Sequence, residues 1–155
     1  MTTRTRKRTT GSFEVVRTTG THEVLDRLFV YGTLRQGQTA RSIIANQITR
    51  TVPAYTTGEL YLFPMGFPGF TEDSGAGQGP ARVVGEVLWL SDLAATFGLL
   101  DAYEGQEFVR VIKQVATASG EIWAWLYTLA DPGAVKLATR IPDGDWVRYW
   151  TEQQA

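Results

Sequence analysis

The range of chemistry open to this chain is narrow, because it contains no cysteine and a single histidine, His22. These counts exclude disulfide bonds, thiolate metal sites and a cysteine nucleophile, and they make a histidine-rich metal site impossible. A Ser-His-Asp triad would have to recruit His22 from a segment with the composition of an N-terminal extension. We therefore expect any reaction to use carboxylates, hydroxyls, phenols and backbone amides, without a metal or other cofactor.

A glycine loop follows the first apolar run of the chain, in the stretch Leu-Phe-Val-Tyr-Gly-Thr-Leu-Arg at 28–35. The apolar run indicates a buried strand that ends at Gly32. Glycine adopts backbone conformations barred to other residues and lets a ligand come close, so successive N–H groups can point into one concavity and hold an anion such as a carboxylate. Taken alone, the pattern is more typical of a purely structural turn.

A second stretch, Leu-Leu-Asp-Ala-Tyr-Glu-Gly-Gln-Glu-Phe-Val-Arg at 99–110, places Glu104 at the predicted end of a helix. An isolated glutamate at a helix end is typically a solvated surface charge. Glu104 becomes a candidate for chemistry only in combination with the glycine loop far upstream. The two stretches together, rather than either alone, indicate a functional site.

With both stretches in this order, the chain resembles the gamma-glutamylcyclotransferase-like superfamily. That superfamily includes glutathione-degrading and gamma-glutamylamine cyclotransferases, and antibiotic-biosynthesis enzymes that remove a gamma-glutamyl protecting group. The resemblance covers about 28–150 and includes a Phe-Pro-Gly turn at 67–69 and an Asp-Gly-Asp-Trp segment at 143–146. It implies an α+β fold, namely a small closed mixed β-barrel with a few flanking helices.

The resemblance also implies roles for individual residues. Glu104, in its Tyr-Glu-Gly setting, corresponds to the catalytic glutamate of the family. Some relatives instead carry a Glu-Tyr-x-Arg segment, in which Glu107 would be the glutamate, so the choice between Glu104 and Glu107 stays open at this point. The residues implied to bind the gamma-glutamyl group or to line its pocket are Tyr31, Gly32, Thr33, Leu34, Phe108 and Tyr127.

The reaction implied by the resemblance needs no protein nucleophile, because the α-amine of a gamma-glutamyl amide can close a five-membered ring on the γ-carbonyl. This releases 5-oxoproline and an amine, a lyase or transferase reaction by formal class. The α-amine, with a pKa of about 8, must lose a proton and the leaving amine must gain one, and one carboxylate can do both. We expect Glu104 to lie in a partly desolvated pocket with aromatic walls, which raises its pKa.

Strand patterns surround these two stretches. Apolar and β-branched residues predict strands over 82–90, 108–116 and 121–129, the last two joined by a Ser-Gly turn. The segment 49–63 indicates β structure with interruptions at Pro53 and Gly58.

Helix and loop signals complete the pattern. A short helix or turn is predicted over 40–48, and a longer helix from Ser91, as its N-cap, to about residue 103, with Gly105 as its stop. The proline- and glycine-rich segment 64–80 is predicted to be one long loop. A short C-terminal helix is predicted to carry the last aromatic residues.

Length and composition fit one folded domain. The chain has 155 residues, 43% of them hydrophobic, and a formal net charge of -1, so it has no strong field for nucleic acid or an anionic membrane. Residues 1–21 are predicted to be a flexible basic N-terminal extension and 22–155 a gamma-glutamylcyclotransferase-like domain. Without an apolar run of about 18 residues or a signal-peptide h-region, a cytoplasmic protein is expected.

Two alternatives to an enzyme stay open. A non-catalytic small-molecule binding or interaction module could keep the same barrel and pocket, because a fold does not certify a reaction. A nucleic-acid-associated protein would use the basic cluster at 4–8, although the neutral domain argues against it. The expected partner is a small gamma-glutamyl substrate, not nucleic acid or a membrane, and the leaving amine and the oligomeric state stay undetermined.

Overall fold

The computed structural model describes residues 25–72 and 81–154, together with two short strands in the N-terminal extension. These strands, β1 (Arg6–Lys7) and β2 (Glu14–Val15), pair antiparallel with each other. The rest of the extension and His22 lie outside the described residues. The division into a flexible extension and a domain therefore stays a prediction.

Five strands form a closed mixed β-barrel, which confirms the predicted fold class. Around the barrel they run in the order β3-β7-β4-β8-β9, and β9 closes it by pairing in parallel with β3. The strands are β3 (Arg27–Val30), β4 (Ile48–Thr57), β7 (Arg82–Leu90), β8 (Phe108–Thr117) and β9 (Gly120–Leu129). β8 and β9 form the predicted hairpin, with Phe108 opposite Leu129 at one end and Thr117 opposite Gly120 at the other.

A second, antiparallel sheet has the order β10-β5-β6, made by β10 (Thr139–Arg140), β5 (Glu59–Leu62) and β6 (Pro68–Thr71). β6 shows that the prediction of one loop through 64–80 was wrong. Pro68 is the first residue of an edge strand, a position that tolerates a missing N–H. Gly69 lets this strand pack closely, since a Cβ there would lie 2.8 Å from the Phe63 ring. Residues 73–80 lie outside the described part of the chain.

Strand β4 runs unbroken through Pro53, where the sequence predicts an interruption. Pro53 stands opposite Glu86 of β7, and β8 pairs with β4 at Tyr55, further along. One edge of β4 is thus open near Pro53 and accepts a residue without an N–H. The predicted break at Gly58 is found, and the strand after it belongs to the second sheet.

Helix α1 (Leu93–Glu104) carries the candidate acid/base at its last residue. Its N-cap is Asp92 and not the predicted Ser91: the Asp92 carboxylate accepts the Ala95 N–H at 3.0 Å, whereas the Ser91 N–H donates to Gln47. Gly105 ends the helix as predicted, with a φ of +71° that glycine adopts without strain. Two short 3-10 turns, Arg41–Ile43 and Ala45–Gln47, and the C-terminal helix α2 (Trp146–Gln154) match the remaining predictions.

Packing on both faces of β3 fixes the position of the site. Phe29 and Tyr31 belong to one buried cluster, whereas Leu28 and Val30 belong to another. A strand that is buried on both faces needs apolar residues at consecutive positions, which explains the continuous apolar run in the sequence of β3. Leu100 of α1 packs in the second cluster, so the end of this helix is held near the end of β3. Among the described residues, no helix is both long enough and apolar enough to cross a membrane.

Candidate active site

The glycine loop leaves β3 at Tyr31, whose ring is buried. The Tyr31 hydroxyl donates to the carbonyl oxygen of Tyr127 at 2.7 Å, and it also bonds with the Phe70 backbone. Gly32 packs directly against Pro68, because a Cβ at position 32 would lie 2.5 Å from the Pro68 Cγ. The loop therefore needs glycine for its own packing, in addition to any role in admitting a ligand.

A network of ion pairs and hydrogen bonds holds the glycine loop against the rest of the fold. The Arg35 guanidinium donates to Asp145 at 2.8 Å, and Glu86 accepts both the Gln36 N–H at 2.9 Å and Arg41 at 3.0 Å. Only 14% of the Arg35 side chain is exposed. These bonds tie the loop to β7 and to the segment before α2, so the loop backbone is fixed before any ligand arrives.

Glu104 projects from the last turn of α1 into a partly buried position. Burial raises the pKa of Glu104 from 4.5 to about 7, as the sequence analysis expects. Burial also raises the pKa of Tyr31, and the Glu104 carboxylate adds to that rise. The glutamate is thus within electrostatic reach of the phenol that begins the glycine loop.

The two stretches line the same cavity, which has a volume of about 240 Å³. All residues that the resemblance implies for the site line it: Tyr31, Gly32, Thr33, Leu34, Glu104, Phe108 and Tyr127. The other lining residues are Phe29, Val30, Phe67, Pro68, Tyr103 and Glu107. The Thr33 Oγ1 lies 3.1 Å from the Tyr103 hydroxyl, so a hydrogen bond joins the loop to the end of α1. A cavity of this size suits a small metabolite.

Asp101 is a member of the site region that the sequence analysis missed. Its carboxylate accepts the Tyr127 hydroxyl at 2.7 Å and the Arg110 guanidinium at 2.9 Å. Although partial burial opposes it, these bonds from Arg110 and Tyr127 hold the pKa of Asp101 below its usual value. The sequence did contain a signal that could have identified Asp101. It lies three residues before Glu104, so the two side chains share one face of the helix.

The Asp101 network also determines where Tyr127 points. Its hydroxyl is bound to Asp101 and its carbonyl oxygen to Tyr31. Arg110 is held in place by its position over the Phe97 ring, 4.0 Å from the centroid. The phenol of Tyr127 therefore forms a fixed wall of the cavity.

Glu107 lies in the 3-10 turn Gly105–Glu107 and also lines the cavity, but it is exposed. Its carboxylate folds back toward the end of α1. The Glu107 Oε1 lies 3.1 Å from the position that a Cβ on residue 105 would occupy. The two glutamates therefore differ in environment, with Glu104 the more buried. Within the described ranges, no group of three or more His, Asp or Glu side chains is arranged to hold a metal ion.

The fold and the cavity define a small closed-barrel protein with a partly buried glutamate facing a glycine loop. The chain belongs to the gamma-glutamyl cyclotransferase, AIG2-like family, whose model matches residues 28–148. This confirms the family resemblance seen in the sequence. A search of curated proteins gave no significant match.

Solved structures with the same fold come from distant organisms. YkqA from Bacillus subtilis is 23% identical with a TM-score of 0.65; the alignment covers 84% of this chain but only 43% of YkqA. The uropathogenic E. coli-specific protein c4763 is 20% identical with a TM-score of 0.62, covering 83% of this chain and 98% of the other. An AIG2-like protein from Mus musculus is 19% identical with a TM-score of 0.57, covering 80% and 95%. At these identities the similarity shows the fold.

Proposed function

We propose that this protein is a gamma-glutamyl cyclotransferase-type enzyme, which cyclises the gamma-glutamyl group of a small peptide or amine to 5-oxoproline and releases the amine. The observation that carries the proposal is the shared cavity of Glu104 and the glycine loop. Membership of the gamma-glutamyl cyclotransferase, AIG2-like family supports it.

In this proposal the backbone amides of Gly32, Thr33 and Leu34 bind the α-carboxylate of the substrate. Successive N–H groups of a turn can hold an anion without a basic side chain. The ion pairs behind the loop favour this role, since a loop that is already fixed loses little freedom on binding. The α-amine of the bound glutamyl unit then lies on the side of the cavity that contains Glu104.

Glu104 is the proposed acid/base. It takes a proton from the α-ammonium group, and the free amine attacks the γ-carbonyl carbon. A new C–N bond closes the ring, and as the original amide C–N bond breaks the leaving nitrogen takes the proton from Glu104. The ring nitrogen then gives up its second proton through the same carboxylate, so the amine departs as an ammonium ion and Glu104 is again ionised. A carboxyl with a pKa of about 7 exchanges protons efficiently in both directions near neutral pH. The ring closes within one molecule, so proximity supplies several kcal/mol of the rate enhancement.

Glu107 is the alternative acid/base that the sequence left open. Its carboxylate is exposed, whereas that of Glu104 is partly withdrawn from water. Desolvation is what brings a carboxyl closer to the pKa of the amine, so the environment favours Glu104. The proposal therefore assigns proton transfer to Glu104.

The test is release of 5-oxoproline from a panel of gamma-glutamyl peptides and amines. We expect Glu104→Gln to lower kcat by roughly 10²–10⁴-fold, the usual contribution of general acid/base catalysis, and Glu107→Gln to have a much smaller effect on kcat. Glu121→Gln is the control for loss of a charge, because Glu121 is exposed near the far end of the β8–β9 hairpin.

Two results would contradict the proposal. Unchanged kcat in Glu104→Gln would remove this residue from the mechanism. No 5-oxoproline from any member of the panel would favour a binding module without catalysis, and calorimetric binding of the same compounds would then support that alternative.

A further inference from the structure

The Glu104 carboxylate accepts no hydrogen bond within the part of the chain that the structure describes, and burial alone raises its pKa to about 7. Two phenols, Tyr31 and Tyr127, line the same cavity. Burial raises the pKa of both, and the Glu104 charge adds to the rise, so both lie within its electrostatic reach. A carboxylate that bonds to neither of two nearby donors requires a physical reason.

Each of these phenols donates its only hydroxyl proton to another acceptor. The Tyr31 hydroxyl donates to the carbonyl oxygen of Tyr127, and the Tyr127 hydroxyl donates to the Oδ1 of Asp101, both at 2.7 Å. This distance is typical of a well-formed O–H···O hydrogen bond. The acceptor for Tyr31 is a backbone group inside a strand, whereas the acceptor for Tyr127 is a side chain. The direction of the Tyr127 hydroxyl therefore depends on Asp101.

Asp101 and Glu104 compete for the Tyr127 hydroxyl. The two carboxylates lie on neighbouring turns of one face of α1, and next to the effect of burial both add to the rise in the pKa of Tyr127. Asp101 has the advantage because Arg110 holds it at two points, from Nε to Oδ1 at 2.9 Å and from Nη2 to Oδ2 at 3.2 Å. Such a two-point bond fixes the orientation of the carboxylate and favours its ionised form.

We propose that Asp101 is a positioning residue for the acid/base: by accepting the Tyr127 hydroxyl, it keeps this donor away from the Glu104 carboxylate. The inference rests on the proposed function, because it concerns the proton that Glu104 exchanges with the substrate amine. A carboxylate that accepts a hydrogen bond from a phenol is a weaker base, since the bond stabilises the ionised form. Asp101 thus preserves the proton affinity that burial gives to Glu104, without contacting the substrate.

The described charged and titratable groups around Glu104 come from four elements and their connections. They are Asp101 and Tyr103 on α1, Glu107 in the turn that follows, Tyr31 at the end of β3, Arg110 on β8 and Tyr127 on β9. Tyr103 shares a hydrogen bond with Thr33 at 3.1 Å, and Arg110 lies over the Phe97 ring at 4.0 Å. Without Asp101, the Tyr127 hydroxyl becomes the buried donor that the flexible Glu104 side chain can reach.

Titration of the Glu104 carboxyl carbon by ¹³C NMR tests the proposal, with Glu104→Gln used to identify the resonance. In Asp101→Ala we expect the pKa of Glu104 to fall by about one to two pH units, the effect of one hydrogen bond to a charged group. Asp101→Asn should keep this pKa closer to the wild-type value, because the amide oxygen still accepts the Tyr127 hydroxyl. In the control Glu121→Gln, which removes an exposed carboxylate, the pKa of Glu104 should not change.

The double variant Asp101→Ala/Tyr127→Phe separates positioning from a merely structural role. Without the phenolic hydroxyl there is no donor to release, so the pKa of Glu104 should return toward the wild-type value. The lost charge of Asp101 and the released Arg110 are common to the single and the double variant, so their effects cancel in the comparison. Tyr127→Phe alone should not raise the pKa of Glu104.

The outcomes separate this inference from the proposed function. An unchanged pKa of Glu104 in Asp101→Ala, or an equal fall in the double variant, overturns the inference. A rise in Tyr127→Phe also overturns it, because the hydroxyl would then already donate to Glu104, and this variant decides the question if Asp101→Ala does not fold. The titrations need no turnover, so they stand even if no 5-oxoproline is formed and the proposed function fails. With turnover, the acid limb of kcat/KM should move together with the pKa of Glu104.

Discussion

Replacing Glu104 with glutamine should stabilise the protein in alkaline solution and leave its stability unchanged in acid. Glutamine resembles the protonated carboxyl group. In the folded protein, burial raises the pKa of Glu104 to about 7, while its usual value is 4.5. Well below pH 4.5 the group is protonated in both states and does not influence unfolding. As the pH rises toward 7, the unfolded chain releases the proton first, so the folded state becomes less favourable.

The size of the effect follows from the same pKa. Each tenfold change in an ionisation equilibrium corresponds to about 1.4 kcal/mol, so moving the pKa from 4.5 to about 7 sets an upper limit of roughly 3 kcal/mol. Part of the Glu104 side chain stays accessible to solvent, which reduces the cost to about 1–2 kcal/mol. For a domain of this size, that is a rise in Tm of roughly 2–8 °C above pH 8.

Urea denaturation of wild type and Glu104→Gln at pH 4.5, 6, 7 and 9 measures the effect. The two free energies of unfolding should nearly agree at pH 4.5, where the carboxyl of the unfolded chain is half ionised, and should separate as the pH rises, with the variant the more stable. Glu121→Gln, which removes an exposed carboxylate, should remain parallel to the wild type. A constant difference between Glu104→Gln and wild type across this range would show that Glu104 is not desolvated, and the reasoning for its role as acid/base would fail with it.

Three further variants test the packing around the site. Gly32→Ala places a Cβ 2.5 Å from the Pro68 Cγ, so the loop must shift. We expect the free energy of unfolding, measured in urea, to fall by about 1–3 kcal/mol and KM to rise. Wild-type values for both would contradict the close packing. Tyr31→Phe leaves the Tyr127 carbonyl without its 2.7 Å partner and should lower the free energy of unfolding by about 1–3 kcal/mol; no change would mean that water replaces the hydroxyl. Trp146→Ala removes a side chain that is 2% exposed and should cost about 3–5 kcal/mol by calorimetry, so a small loss would place Trp146 outside the core.

Local patterns predicted much of the fold. The hairpin β8–β9, the strand β7 and the end of α1 at Gly105 depend on alternation, on β-branched residues and on glycine conformation, which act over a few residues. Errors arose where neighbouring strands decided the outcome. Pro53 continues a strand, and Pro68 begins one, because each position in its sheet requires no N–H.

For the site, the amino-acid sequence by itself determined the available chemistry: without cysteine and with one histidine, it left carboxylates and backbone amides, and its two motifs named the family. Only the tertiary structure decided that Glu104 is withdrawn from water beside Tyr31, that Asp101 holds Tyr127, and that Arg35 reaches Asp145, 110 residues away. The physical reason is that desolvation and ion pairing depend on which side chains the closed barrel brings together. In one sequence, such long-range contacts leave no periodic signal.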